Sequence, residues 1–232
     1  QSVVFSPLDS DLPLVLWWQA DFPPPTDGRL WRWVDRLLFD SREWANPRQQ
    51  FGIVSRIADL TEARTVLCDL NWARSLPARK ALAGMFDTPG ALPELEVIRN
   101  LEIDHAPGHR TTALLLVGWL ADRLGWHLTL PAPNPQFQDA RCGLVSVTLR
   151  ETGDASISRM LLESSGSSFE LLREPGSDVY TTTVRGASLP AATRMVFAPR
   201  EETRELLLAE LARGGRHPLY RRAVGAIEGL LD

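Results

Sequence analysis

The chain has 232 residues, of which 44% are apolar, and a formal net charge of −4 at pH 7. This length accommodates one large domain or two small ones, and the apolar share is ordinary for a globular protein. A weakly acidic balance gives no indication of a nucleic-acid partner, and no apolar run reaches the roughly 18 residues that a membrane helix needs. Without a signal-peptide pattern either, we expect a cytoplasmic protein with no nucleic-acid or membrane partner.

Strand and helix patterns alternate from residue 13 to about residue 131. Strands are predicted over 14–18, 36–40, 65–69, 95–104 and 127–131, and helices over 28–35, 46–60, 76–87 and 112–124. Pro47 suits the first turn of the second helix, and Gly125 is typical of a helix end. This alternation predicts an α/β fold, a largely parallel sheet flanked by helices on both faces.

A change of pattern follows the proline-rich stretch "PAPNPQFQDARCG" at 131–143. Beyond it the apolar residues alternate with period two. Strands are predicted over 144–152, 155–165, 168–175, 178–186 and 195–199, and two helices close the chain. The pattern predicts an antiparallel β-meander with C-terminal helices. We divide the chain into an α/β domain (1–131), a linker or crossing (132–143), and the meander with its helices (144–232).

The two cysteines, Cys68 and Cys142, lie far apart and form no CxxC pair. A disulfide scaffold and a zinc site are therefore not expected. Cys68 falls in an apolar run and is interpreted as a small buried hydrophobic side chain. We expect both thiols to be reduced and unpaired, and we predict neither a metal nor a cofactor.

Polar side chains follow several predicted strands, among them Asp40, Asp69, and Asp104 with His105. Ligands of parallel sheets gather at the carboxyl ends of the strands, so one interpretation is a crevice for a sugar or a nucleotide. The alternative is structural, because such acids often cap helices and fix loops. For a single residue the structural alternative is the commoner one.

The segment "DLNWAR" stands between the strand at 65–69 and the following helix. Asp69 or Asn71 could hydrogen-bond neighbouring loops, Trp72 could anchor the turn, and Arg74 could pair with an acid such as Asp40. The other interpretation is a partner-binding surface, because an exposed arginine beside an exposed indole is typical of interface hot spots. Both interpretations stay open from the residues alone.

Catalytic signatures are missing from the sequence: it contains no GxGxxG, P-loop, GxSxG or HExxH motif. His105 and His109 are four residues apart, but Pro107 and Gly108 lie between them, so the two histidines cannot share a helix face. We assign no catalytic residue and predict that the chain is not an enzyme.

Four blocks carry a resemblance to a known family: "DLPLVLWWQADFP", "DRLLFDS", "DLNWARSLPARKALAGMFD" and "ALLLVGWLADRLGW". In order and spacing they resemble the glucose-6-phosphate dehydrogenase assembly protein family, OpcA, over about residues 2–130. The resemblance implies a non-catalytic protein that binds glucose-6-phosphate dehydrogenase, promotes its active oligomer and raises its activity. It marks six residues as motif positions and possible interface residues: Trp17, Trp18, Asp69, Asn71, Trp72 and Arg74. The rival hypothesis is an enzyme or small-molecule sensor that uses the strand-end crevice.

Overall fold

The computed structural model describes residues 12–24, 28–131, 134–199, 201–213, 215 and 217–231. Within these ranges the chain forms two sheets. The first has three parallel strands in the order β1 (Val15–Trp17), β2 (Arg36–Phe39) and β3 (Val66–Asp69). Leu16, Leu37 and Leu67 stand side by side in its register. The parallel pairing predicted for these three strands is confirmed.

Helices connect and cover these strands. They are α1 (Pro47–Leu60), α2 (Leu70–Arg74), α3 (Leu76–Met85) and α4 (Arg110–Leu124). Asn46 caps α1 by accepting a hydrogen bond from the backbone of Gln49, and Pro47 occupies the first turn. Gly125 ends α4 at φ +65°, a left-handed conformation that glycine adopts without strain. The helix predicted over 28–35 is wrong in length, since only a 3₁₀ turn at Trp31–Trp33 forms there.

The second sheet has eight strands. They are β4 (Ile98–His105), β5 (His127–Leu130), β6 (Gln136–Gln138), β7 (Leu144–Glu151), β8 (Arg159–Ser164), β9 (Ser167–Leu172), β10 (Val179–Gly186) and β11 (Ala192–Phe197). Their order is β11-β10-β9-β8-β4-β7-β6-β5, and only the β4–β7 pair is parallel. The predicted antiparallel meander is present from β8 to β11.

The strands β4 and β5 correct the predicted architecture, because they belong to the eight-stranded sheet and do not extend the parallel one. The physical reason is visible along β4, where Leu101 and Ile103 are buried while Glu102 and Asp104 are partly exposed. That alternation suits a sheet with one covered face, whereas central strands of a parallel sheet are apolar on both faces. The larger sheet uses residues on both sides of the predicted linker, which itself contributes β6; the division into domains stays a prediction.

Two further helices, α5 (Thr203–Ala212) and α6 (Pro218–Ala226), follow the sheet. The helices α4 and α6 pack closely: a Cβ added to Gly118 would lie 2.1 Å from the backbone oxygen of Ala223. Most of α4 is buried, as its nearly all-apolar sequence predicts. Among the described helices none is long and apolar enough to cross a membrane.

Candidate interaction site at the ends of the parallel strands

The turn from β3 into α2 is organised by the carboxylate of Asp69. Its Oδ1 accepts hydrogen bonds from the backbone nitrogens of Ser41 (3.0 Å) and Asn71 (2.9 Å). Asp69 is therefore the N-cap of α2, and it also ties the end of β2 to the end of β3. The segment "DLNWAR" is thus a short helix of its own rather than a loop.

Asn71 is fully buried and joins three elements through its side-chain amide. Its Nδ2 donates to Ser41 Oγ at 3.1 Å. Its Oδ1 accepts from Thr112 Oγ1 at 2.6 Å and from Arg74 Nη1 at 3.2 Å. Because Thr112 lies on α4, the amide connects the parallel sheet to the helix that follows β4.

Arg74 forms the predicted ion pair with Asp40. Its Nη1 donates to Asp40 Oδ1 at 3.1 Å and its Nη2 to Oδ2 at 2.8 Å. The Arg74 side chain is only 1% exposed and that of Asp40 13%. Glu201 lies 3.9 Å from Arg74 Nε and also pairs with Arg173 at 3.1 Å. A chain of charges thereby runs from the parallel sheet to the end of β9.

Burial disfavours the charge on Asp69. The pKa of this carboxyl is raised from 3.8 to about 6, mainly by removal from water and then by the charge of Asp40, although the bonds from Ser41 and Asn71 oppose the shift. In the described part of the chain, neither Asp69 Oδ2 nor the Tyr220 hydroxyl has a hydrogen-bond partner by distance and angle. Burial raises the pKa of Tyr220 well above its usual value, and the Asp69 charge adds to this shift.

Trp72 fixes the other side of α2. The guanidinium of Arg79 lies 3.6 Å above the centre of the indole, and its Nη2 donates to the Trp72 backbone oxygen at 2.9 Å. The Tyr220 ring contacts the same indole at 5.8 Å between centroids. Ser75 precedes α3, and its hydroxyl donates to the Trp72 backbone oxygen at 2.8 Å rather than capping that helix.

A polar cavity of about 590 Å³ opens above this network. Arg74 and His109 reach it from the parallel-strand side, and Ser156 and Arg173 from the eight-stranded sheet. Burial and the nearby charges of Arg42 and Arg74 lower the pKa of His109 to about 4, so its imidazole is neutral at pH 7. The cavity, called the strand-end cavity below, can exchange hydrogen bonds with a polar ligand.

The structure separates the predicted site residues into three groups. Asp69, Asn71, Trp72 and Arg74 are buried together. Trp17 and Trp18, by contrast, line a smaller cavity of about 310 Å³ that Asp40 also reaches, and Trp17 is 43% exposed. Trp18 stacks on Phe22 at 5.4 Å.

The third group, Asp104 and His105, sits at the end of β4 in the larger sheet. Asp104 lies 3.5 Å from Arg150 and 4.0 Å from Arg159, both on that sheet. His105 is buried, and its Nδ1 lies 2.9 Å from the backbone oxygen of Ala106. Asp40 lines the smaller cavity with Trp17 and Trp18, whereas Asp104 and His105 line neither of these two cavities, so a crevice shared by the three residues stays a prediction.

Three participants were not predicted from the sequence: Thr112, Arg173 and Glu201. Ser41 directly follows Asp40, and the sequence indicates both as polar residues at the end of a strand. Thr112 and Arg173 carry no local signal, because they approach the site only through the topology of the larger sheet and α4.

The chain matches a protein family and several named relatives. Residues 65–224 match the family described as the C-terminal domain of the glucose-6-phosphate dehydrogenase subunit. The chain is 27% identical to a protein from Nostoc punctiforme over 92% of its length and 27% identical to one from Synechococcus elongatus over 93%. Both carry the name OxPP cycle protein OpcA, a provisional one in each case. The chain spans about half of these relatives, 50% and 53% of their lengths.

Several solved structures with a similar fold are oxidoreductases. KijD10, a 3-ketoreductase from Actinomadura kijaniata solved with NADP and TDP-benzene, aligns with 96% of this chain and 77% of its own, at a TM-score of 0.57 and 12% identity. UDP-N-acetylglucosamine 3-dehydrogenase GnnA from Acidithiobacillus ferrooxidans aligns with 93% of this chain and 80% of its own, at a TM-score of 0.51 and 13% identity. At such low identity the likeness concerns the fold alone.

Proposed function

Because this chain belongs to the glucose-6-phosphate dehydrogenase subunit family, whose C-terminal domain it matches over residues 65–224, we propose that it is a non-catalytic assembly factor and allosteric activator of that dehydrogenase in the oxidative pentose phosphate pathway. The family match carries this proposal. Activation requires that the chain bind the active state of the dehydrogenase more tightly than the inactive one. A difference of about 1–3 kcal/mol corresponds to an effect of about 5- to 150-fold.

The first strand supports a non-catalytic role. In dinucleotide-binding folds, the turn after the first strand is glycine-rich, so that the backbone can approach the pyrophosphate and a helix can begin there. After β1 this chain continues with "WQADFPPPTDG", whose first glycine is Gly28. The next described element is a 3₁₀ turn, Trp31–Trp33, rather than an α-helix. The segment after β1 therefore lacks the glycine-rich turn of a usual pyrophosphate site.

We place the contact with the dehydrogenase on the β1–α5 surface, defined by Val15, Trp17, Leu208 and Leu211. Their exposed fractions are 39%, 43%, 55% and 43%. The helix α5 covers the same face of the parallel sheet that Val15 and Trp17 occupy: Val15 aligns with Arg36, whose Nη1 donates to the Glu210 backbone oxygen at 3.1 Å. Exposed leucines and an exposed indole on one face of a sheet are suited to a protein partner.

Dehydrogenase kinetics and sedimentation with and without this protein test the proposed function. We expect a lower apparent KM for glucose 6-phosphate or a larger share of the high-order oligomer, and no dehydrogenase activity from this protein alone. Unchanged kinetics and sedimentation over a range of ratios would refute it.

The surface assignment has its own test. Trp17→Glu should abolish activation of the dehydrogenase without shifting the Tm of the protein. Leu92→Glu is the control, at a leucine outside this surface that is 66% exposed, and it should change neither activation nor the Tm. Retained activation by Trp17→Glu would move the contact away from the β1–α5 surface.

The strand-end cavity supports a second candidate function, a sensor of a sugar or nucleotide. Ser156 Oγ and Arg74 Nε are buried without a hydrogen-bond partner among the described residues, and both residues line this cavity. A polar ligand would satisfy such groups. Glucose 6-phosphate or ADP should then raise the Tm of the protein but not that of Ser156→Ala. An unchanged Tm with both compounds would remove this candidate.

A further inference from the structure

The helix α5 buries a carboxylate, whereas an ordinary surface helix buries apolar side chains. Leu208 and Leu211 are largely exposed, yet Glu210 is 2% exposed and is the one fully buried side chain described on the helix. A carboxylate is costly to bury without compensation. Two side chains compensate this burial, since Arg213 lies 3.5 Å and His217 lies 2.8 Å from the Glu210 carboxylate.

Two other ligand-type side chains meet Glu210 there. Cys68 on β3 is 1% exposed, and His217 stands at the N-cap of α6. The Sγ of Cys68, a carboxylate oxygen of Glu210 and a ring nitrogen of His217 all lie within 4.8 Å of one another. His217 Nε2 is 2.8 Å from Glu210 Oε2. The strand β3 and the two consecutive C-terminal helices thus supply one sulfur, one oxygen and one nitrogen.

We propose that Cys68, Glu210 and His217 form a Zn²⁺ site with three protein ligands. Zn²⁺ binds this mixture of ligand types with bonds of about 2.0–2.3 Å, which separates the ligand atoms of a tetrahedral centre by about 3.3–3.8 Å. The three atoms reach that spacing through small side-chain movements, including a widening of the His217–Glu210 distance. A water molecule completes the tetrahedron.

Three arginines lie around the site: Arg36, Arg79 and Arg213. Arg213 Nη1 lies 3.5 Å from Glu210 Oε1, so the other carboxylate oxygen, Oε2, is the one available to the metal. Arg36 donates to the backbone oxygen of Glu210 rather than to its carboxylate. On binding, Zn²⁺ displaces the thiol proton of Cys68, and the imidazole proton where His217 carries one. These protons leave to solvent, and neither the metal nor the sulfur changes oxidation state.

The site is accessible through His217. This side chain is 10% exposed and lines a cavity of about 270 Å³ beside Pro218 and Arg221. A metal bound there would hold both C-terminal helices against β3, because its ligands come from β3, α5 and the start of α6. The ion would thereby stabilise the helix that carries half of the β1–α5 surface.

Cobalt substitution tests the site directly, since Co²⁺ occupies zinc sites and reports thiolate ligation by a near-ultraviolet charge-transfer band. The full chain is stripped with a chelator and titrated with Co²⁺ and then with Zn²⁺, and bound metal is counted by elemental analysis. We expect about one ion per chain, the thiolate band, and at least a tenfold weaker affinity in Cys68→Ser and in His217→Ala, because each variant loses a direct ligand.

Matched controls are Cys142→Ser, at an exposed free thiol, and His127→Ala, at an exposed histidine. Both should bind like the parent protein. If the parent shows no stoichiometric ion, or if Cys68→Ser keeps the band while Cys142→Ser loses it, the proposal is overturned. Circular dichroism melting identifies any variant that fails to fold. If Cys68→Ser does not fold, His217→Ala is the deciding variant. An undiminished cobalt affinity of His217→Ala would then overturn the proposal.

Discussion

Asp69→Asn is the most informative single change in the network below the strand-end cavity. Oδ1 of the native carboxylate accepts hydrogen bonds from two backbone N–H groups, and the side-chain oxygen of an asparagine can accept the same two bonds. An amide in place of Oδ2 removes the buried charge and supplies a donor beside the Tyr220 hydroxyl, which lacks a partner among the described residues. We therefore expect Asp69→Asn to be at least as stable as the parent protein at neutral pH.

The magnitude follows from the shifted pKa of Asp69, which rises from 3.8 to about 6 on folding. The native state then holds the proton more tightly than the unfolded state. Between these two values, stability falls as the pH rises. At about 1.4 kcal/mol per pH unit the buried charge costs about 3 kcal/mol above pH 6, and this cost vanishes below pH 4. Asp69→Asn should remove that pH dependence.

Urea unfolding at pH 4.5, 6.0 and 7.5 measures the effect as the difference between the two proteins. That difference should shift toward the variant by about 2 kcal/mol across this range, because the variant lacks the roughly 1.5 pH units of titration between pH 4.5 and pH 6. Asp87→Asn, at an exposed carboxylate, is the matched control. Its free energy of unfolding should differ little from that of the parent protein, and the difference should not change with pH. A variant that is less stable by the same amount at every pH would refute the reasoning, because the carboxylate would then contribute through its geometry and not its charge.

Three other substitutions test buried contacts, and urea unfolding measures the change in the free energy of unfolding for each. Arg74→Ala should cost about 3–5 kcal/mol, because it leaves the largely buried Asp40 without its ion pair; an unshifted midpoint with lost activation would instead make Arg74 an interface residue. Trp72→Ala should cost about 3–5 kcal/mol, since the indole is 2% exposed, and a loss below about 1 kcal/mol would contradict its anchoring role. Gly118→Ala should cost about 1–3 kcal/mol by forcing α4 away from Ala223, and unchanged stability would argue against this close approach.

Local patterns in the sequence predict most elements of this fold, because each pattern reflects contacts within one element. The spacing of Phe51, Val54 and Ile57 predicts α1, and those residues are buried. The period-two alternation after residue 143 predicts β7 through β10 for the same reason. Pairing partners are less visible locally: β4 follows a helix–strand alternation typical of a parallel sheet, but its alternating burial places it in the antiparallel one.

The candidate site was predictable only in part. The Arg74–Asp40 pair was expected because both residues follow neighbouring parallel strands and carry opposite charges. The role of Thr112 could not be foreseen, since a threonine within an apolar helix looks like any other buried residue until the helix is placed against Asn71. The same applies to Cys68, whose neighbours Glu210 and His217 are about 140 residues away in sequence.

Burial of the motif changes where a partner should be sought. Asp69, Asn71, Trp72 and Arg74 contact one another and their neighbours beneath the surface, so a protein that docks from outside does not touch them. Their distinctive composition is then explained by the fold: the cap of Asp69, the amide of Asn71 and the ion pair of Arg74 connect β2, β3 and α4. Trp17 is the motif residue left with substantial exposure, and it lies on the same side of the parallel sheet as α5. If the proposed function holds, we expect the contact with the dehydrogenase on that side, while the buried network holds β2, β3 and α4 in the arrangement that presents it.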